Sequence, residues 1–260
     1  MKNKISGVFS RKALIPYISG GDPDLDTTAE LIINLEKGGA DMVEVGIPFS
    51  DPLADGPVIQ AAGQRALENG TSLIKILRML EELNKDINIP VLLMGYYNSI
   101  LSYGTDRFIM DCLKSGVSGV IIPDLPFDQD EDFYRALLDN NLYGILMVTP
   151  LSPEGRLAET GKRARGFTYC VSLLGITGDS RGPVADLENY TKEVRKYIKT
   201  PLALGFGIDG PQKAREVSKF VDGVIIGSAL IQIINNYHGE QKEMLERVQE
   251  FISSIRCALN

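Results

Sequence analysis

The chain has little of what marks a metal, redox or nucleic-acid protein. It holds one histidine, His238, and three cysteines, Cys112, Cys170 and Cys257, in 260 residues. A single histidine beside Gly239, after the last repeating unit, cannot assemble a histidine-ligated metal site. The cysteines have no metal-ligand spacing and are too few for a disulfide framework, so we read them as reduced thiols. No basic run occurs: 27 Lys and Arg stand against 34 Asp and Glu, a net charge of -7, which disfavours a nucleic-acid or anionic-membrane surface. No apolar stretch approaches the roughly 18 residues of a membrane span, and residues 1–10 lack the apolar segment of a secretion signal. The expected location is the cytoplasm. The first glycine loop, Gly20-Gly21-Asp22-Pro23-Asp24, is not the G-x-G-x-x-G fingerprint of a dinucleotide fold.

What the chain does have is one grammar repeated: a short apolar run, a loop, then a helical stretch closing on Gly or Asn. Apolar runs predict strands at 14–18, around Glu44 in 42–47, and at 91–96, 119–122, 143–148, 167–171, 202–204 and 223–226. Helical patterns fall at 4–9, 27–37, 58–69, 72–85, 105–114, 130–139, after Pro153, and at 187–198, 229–235 and 240–259; Leu31, Ile32 and Leu35 mark the apolar face of the second. Eight strand-and-helix units in a chain with 44% hydrophobic residues predict a closed (β/α)8 barrel with extra short helices, one catalytic domain over 1–260, in preference to an open doubly wound sheet.

In such a barrel the chemistry lies where strands end, here at Tyr17, Glu44, Asn98, Asp124, Thr149, Ser172, Gly205, Gly207 and Gly227. No lysine lies in or just after any strand, which disfavours Schiff-base aldolase chemistry. Glu44 sits inside the run Met42, Val43, Val45, Gly46, Ile47, and buried parallel strands seldom tolerate a carboxylate. It is either paired to a distant arginine or there for chemistry. A second acid, Asp55, follows on a loop punctuated by Pro48, Pro52, Gly56 and Pro57. General acid–base catalysis by carboxylates is what remains.

A second signal lies near the C-terminus. L-G-F-G-I-D-G follows the seventh strand and I-I-G-S-A-L follows the eighth, the two loops from which barrels often build a phosphate site together with the N-terminus of a short extra helix. Gly207, Gly227 and Ser228 are the candidate contacts, and Gly178 in L-G-I-T-G offers one more. The plainer alternative is that the glycines permit turns and Ser228 caps a helix.

The run E-V-G-I-P-F-S-D-P-L-A-D-G-P, with L-I-P-Y-I-S-G-G-D-P before it and L-L-M-G-Y-Y-N, I-I-P-D-L-P, L-G-I-T-G, G-F-G-I and I-I-G-S-A after it, resembles the tryptophan synthase alpha subunit family over nearly the whole chain. The resemblance implies a carbon–carbon lyase of tryptophan biosynthesis that cleaves indole-3-glycerol phosphate to indole and glyceraldehyde 3-phosphate. It assigns Glu44 as the acid/base and Asp55 as the carboxylate that holds the indole N–H. Tyr169 matches a tyrosine lining the substrate site, Thr177 the loop threonine of closure, and Gly178, Gly207, Gly227 and Ser228 the phosphate contacts. Tyr17, Tyr97 and Leu93 are candidates for contact with the indole ring or for the core. Pro48 and Asp51 fall where the family couples to a beta subunit. The resemblance further implies an alpha2-beta2 heterotetramer in which pyridoxal phosphate belongs to the beta subunit, with no cofactor or metal in this chain. The alternatives are a stand-alone lyase releasing free indole, a catalytically silent activator of a beta subunit, and a phosphosugar isomerase of the same fold.

Overall fold

The computed structural model describes residues 3–171, 187–205 and 207–260. Its centre is a closed barrel of eight parallel strands in chain order: β1 (Ala13–Ser19), β2 (Val43–Gly46), β3 (Val91–Met94), β4 (Val117–Ile121), β5 (Tyr143–Val148), β6 (Thr168–Val171), β7 (Leu202–Gly205) and β8 (Gly223–Ile226). β8 closes on β1 through Ala13↔Gly223 to Pro16↔Ile226. Around it lie α1 (Leu25–Lys37), α2 (Pro57–Glu68), α3 (Leu73–Leu83), α4 (Tyr97–Tyr103), α5 (Thr105–Lys114), α6 (Glu131–Asp139), α7 (Glu154–Arg163), α8 (Leu187–Tyr197), α9 (Pro211–Val217), α10 (Ser228–Asn236) and α11 (Gln241–Leu259). The predicted barrel is thus observed. Two short helices, α4 and α9, are additional to the expected ones.

Successive strand residues point to opposite faces, and this alternation divides the core in two. Leu14, Ile18, Val43, Val45, Leu93 and Val120 face outward into the cluster they share with the helices. Ala13, Ile15, Met42, Leu92, Ile121, Ile145, Phe167, Tyr169, Ala203 and Ile225 form a separate interior cluster. Leu93, a candidate for ring contact, therefore packs against helices, and its neighbour Leu92 is the residue that faces inward.

A 3-10 helix, Lys4–Ser10, stoppers the end of the barrel where the strands begin. Ile5 belongs to the interior cluster, and the ring of Phe9 packs on that of Phe167 with centroids 5.4 Å apart. Asn3 fixes the segment: its side-chain amide donates to the carbonyls of Ser118 at 2.7 Å and Asn141 at 2.8 Å, and its oxygen accepts the N–H of Ile5. At the same end Asp41 accepts from Arg11, from Arg256 of α11 and from the backbone of Leu14, so one carboxylate ties the first strand to the last helix.

The opposite end is held by different means. Asp22, fully buried on the loop after β1, accepts two hydrogen bonds of 2.8 Å each from Arg65 of α2. That fork fixes α2 against β1, and α2 starts two residues after Asp55. Pro57 opens α2 at a first-turn position where a missing N–H costs nothing. Asp24 and Asp130 cap α1 and α6 by accepting the N–H groups of Thr27 and Phe133.

Candidate active site

Tyr17, Glu44 and Leu92 lie side by side in register across β1, β2 and β3, on the inward face and near the strands' C-terminal ends. Glu44 is 1% exposed. Neither of its carboxyl oxygens has a hydrogen-bond partner, and it forms no ion pair among the described residues. No described arginine is therefore its partner. Val43 and Val45 contribute to its burial only from the far side of the sheet, since they point into the helix layer.

Burial first, and the charge of Asp55 second, raise the Glu44 pKa from 4.5 to about 8. A neutral carboxylic acid is the favoured form at neutral pH. Asp55 is 9% exposed; burial pushes it up to about 6, against the hydrogen bond from Tyr96 that pulls it down. Two carboxyls close enough to sense one another thus prefer different protonation states near pH 7, the arrangement in which one acid donates while the other carries charge.

Two tyrosines on the inward face complete the wall. Tyr17 and Tyr169 are both buried, and both phenols are held well above their usual pKa, first by burial and then by the charges of Asp55 and Glu44. Their hydroxyls occupy space that a neighbouring strand has left empty. A Cβ on Gly46 would lie 2.1 Å from the Tyr17 oxygen, and one on Gly205 would lie 2.1 Å from that of Tyr169. Ser19, at the end of β1, places a buried hydroxyl in a small cleft it shares with Tyr17, Gly46, Asp55 and Gln60.

The third expected tyrosine is elsewhere. Tyr97 is the first residue of α4, its hydroxyl bonds to Asp130, and its ring packs against Phe133. The residue before it reaches the carboxylates instead: Tyr96 donates to Asp55 Oδ2 at 3.1 Å and accepts the N–H of Ala54 at 2.9 Å. Sequence reasoning missed Tyr96 because in the Tyr96-Tyr97 pair only the end of the strand decides which ring turns inward. Asn98 is exposed on α4, and Asp124 accepts the backbone N–H of Tyr97. Thr149 bonds within its own loop.

The glycine positions lie at the ends of β7 and β8. Gly207 has φ of +75°, a conformation that favours glycine. Gly227 precedes α10, and a Cβ there would be 3.5 Å from the ring of Tyr17, so this corner adjoins the carboxylate wall. The first intrahelical bond of α10 runs from Ile231 N–H to Gly227. The N–H groups of Ser228, Ala229 and Leu230 therefore face the start of the helix, where an anion is favoured. Ser172, Thr177 and Gly178 lie outside the described residues. Pro48 and Asp51 stand on the loop after β2, where Asp51 is exposed and accepts the hydroxyl of Ser50. Leu53 on this loop is 87% exposed. No group of three or more His, Cys, Asp or Glu among the described residues is arranged to hold a metal ion, and no helix among them is long and apolar enough to cross a membrane.

Comparison with known proteins gives a consistent result. The family described as Tryptophan synthase alpha chain matches residues 7–260. The tryptophan synthase alpha chain of Petrotoga mobilis is 51% identical over 255 residues, covering 98% of this chain and 99% of the relative. That of Geotalea uraniireducens is 42% identical, covering 96% and 93%. Among solved structures, tryptophan synthase subunit alpha from Legionella pneumophila superposes with a TM-score of 0.93 at 36% identity, covering 100% of this chain and 99% of that one. A chain of Mycobacterium tuberculosis tryptophan synthase superposes at 0.89 and 31% identity, covering 100% and 99%.

Proposed function

The chain belongs to the tryptophan synthase alpha chain family and is a carbon–carbon lyase that cleaves indole-3-glycerol phosphate in tryptophan biosynthesis, and from that premise we propose that Glu44 and Asp55 carry the reaction within one catalytic domain spanning 1–260. Glu44, neutral at rest, gives its proton to ring carbon C3, and the ring becomes an indolenine whose nitrogen bears the positive charge. Asp55 accepts the N–H and balances that charge. Glu44, now a carboxylate, takes the proton of the side-chain hydroxyl; the O–H electrons form the aldehyde C=O as the C–C bond breaks, and its electron pair returns to the ring to restore indole. Protons balance over the cycle, and the ring itself is the electron sink.

The observation that most supports this reading is the fully buried Glu44 with both oxygens unpaired. A group that must both give and take a proton near neutrality benefits from a pKa lifted to about 8. In this reading Tyr17 and Tyr169 wall the substrate, Gly178, Gly207, Gly227 and Ser228 receive its phosphate, and Thr177 acts in closure over it.

We further propose that the face bearing Pro48, Asp51 and Leu53 seats a beta subunit in an alpha2-beta2 heterotetramer of the cytoplasm, with pyridoxal phosphate confined to that partner. The exposed Leu53 and Leu151, on the loops after β2 and β5 at the same end of the barrel, suit such a contact.

The test is indole release from indole-3-glycerol phosphate, followed with and without an added beta subunit. Glu44→Gln keeps the shape of the side chain and removes proton transfer, so turnover should fall by about 10²-fold or more while substrate still binds. Activity within a few-fold of the unmodified chain would overturn the assignment of Glu44.

A further inference from the structure

Asp55 sits on a loop, yet one of its oxygens is held by a residue from another strand. The hydroxyl of Tyr96, two residues past β3, takes the N–H of Ala54 at 2.9 Å and donates to Asp55 Oδ2 at 3.1 Å. A phenol has one hydrogen, and the backbone N–H of Ala54 cannot accept. The direction of both bonds is therefore fixed: Ala54 donates to Tyr96, and Tyr96 donates to Asp55.

The ring is immobilised as well. Tyr96 is 5% exposed and stacks on Phe49 with centroids 5.1 Å apart and 24° between planes. Phe49 belongs to the same loop as Ala54 and Asp55, so ring and hydroxyl grip the segment at both ends. From α2, Gln60 donates to the carbonyl of Asp55 at 2.8 Å, which fixes the backbone and leaves the carboxylate to Tyr96.

We propose that Tyr96 is a positioning residue for Asp55: it holds Oδ2, turns the other oxygen toward the substrate's N–H, and by donating a hydrogen bond keeps this buried carboxyl ionised. The proposal rests on the reading of Asp55 as the partner of the indole nitrogen. A donor aimed at a carboxylate favours its charged form, and here it opposes the burial that raises Asp55 to about 6. The other titratable groups facing Asp55 act otherwise. Glu44 from β2 is neutral near pH 7, and Tyr17 from β1 and Tyr169 from β6 are neutral phenols; Asp124, beyond Tyr96, is felt at the phenol. None of these supplies positive charge, so among the described residues the Tyr96 hydroxyl is the feature that counters burial. Because the charge of Asp55 in turn raises Glu44, one hydroxyl helps to keep the two carboxyls in different states.

Tyr96→Phe removes the donor and keeps the ring on Phe49. The ratio of unmodified to variant kcat/KM should be largest below pH 7, about ten- to a hundredfold, and should shrink as pH rises, because alkali ionises Asp55 without help. Incorporating 3-fluorotyrosine at position 96 keeps the fold and makes the phenol a stronger donor, so the acid limb should move the opposite way, to lower pH. Direct titration of the Asp55 carboxyl by carbon NMR, assigned with Asp55→Asn, should show its pKa raised in Tyr96→Phe and lowered with fluorotyrosine, independently of activity. A pH-independent ratio together with an unmoved Asp55 titration would overturn the proposal. An active Asp55→Asn enzyme would instead remove the underlying reading of Asp55, and the NMR titration would still report on the Tyr96 bond.

Discussion

The hydroxyl of Tyr17 stands where the side chain of Gly46 would begin. A Cβ on Gly46 would lie 2.1 Å from that oxygen and 2.7 Å from the ring carbon bearing it, so the residue two places after Glu44 has no side chain because a tyrosine of the neighbouring strand fills the space. Gly46→Ala should push the ring out of place, at about the 1–3 kcal/mol of an overpacked core, and lower turnover with it. Tyr17→Phe in the same chain removes the closer contact and leaves the 2.7 Å one, so the double variant should lose less stability than the two changes summed. Urea unfolding of the four proteins measures this; strict additivity would mean that the two positions do not compete for space.

Glu44 also predicts how stability depends on pH. Its folded pKa of about 8 lies above the ordinary 4.5, so between these values the folded chain binds more protons than the unfolded one. Stability from this group is fully present below about pH 4.5 and is lost as pH rises through about 8. Glu44→Gln carries no such penalty. Its stability relative to the unmodified chain should rise from pH 5 to pH 9, by at most about 5 kcal/mol for a shift of this size. Denaturant melts across that range test it, and a difference that stays flat would mean that Glu44 does not titrate in the folded state.

At the glycine corner, Ser228→Asp places a negative charge at the first residue of α10, beside the position where the substrate phosphate is expected to lie. KM for indole-3-glycerol phosphate should rise at least about tenfold with little change in the far-ultraviolet circular dichroism. Inorganic phosphate should compete with substrate in the unmodified chain and much less in the variant. Equal inhibition of both would move the anion site elsewhere.

Leu53, 87% exposed, contributes almost nothing to the fold of the isolated chain. Leu53→Asp should leave thermal stability and basal indole release within about twofold and weaken binding to a beta subunit at least about tenfold, as loss of a central apolar contact does. Calorimetric titration with the purified partner decides it; unchanged affinity would put the docking surface on another face.

Much of this architecture is legible in the sequence because the barrel strands are short apolar runs bounded by Gly, Asn and Pro. The expected bounds of β5 and β8 coincide with the observed Tyr143–Val148 and Gly223–Ile226, and α5 with Thr105–Lys114. α4 and α9, of seven residues each, leave too little periodicity to read: the first begins with Tyr97-Asn98-Ser99 and has no side-chain cap. The carboxylates are visible because an acid inside an apolar strand conflicts with its surroundings. Tyr96, Asp22 and Arg65 are not, since their importance lies in contacts between residues 41 and 43 positions apart. Leu93 shows the same limit in another form: a strand alternates, but the pattern alone does not say which of Leu92 and Leu93 turns toward the axis.

The 3-10 stopper formed by Lys4–Ser10 turns the barrel into a vessel with a floor. With Ile5 and the Phe9–Phe167 stack filling the lower end, reactant and both products share the mouth above Glu44. The smaller, uncharged indole and the phosphorylated aldehyde must therefore leave in sequence past the same rim. A protein seated on the Leu53 face would stand beside that doorway, where it is placed to receive indole before it mixes with bulk water.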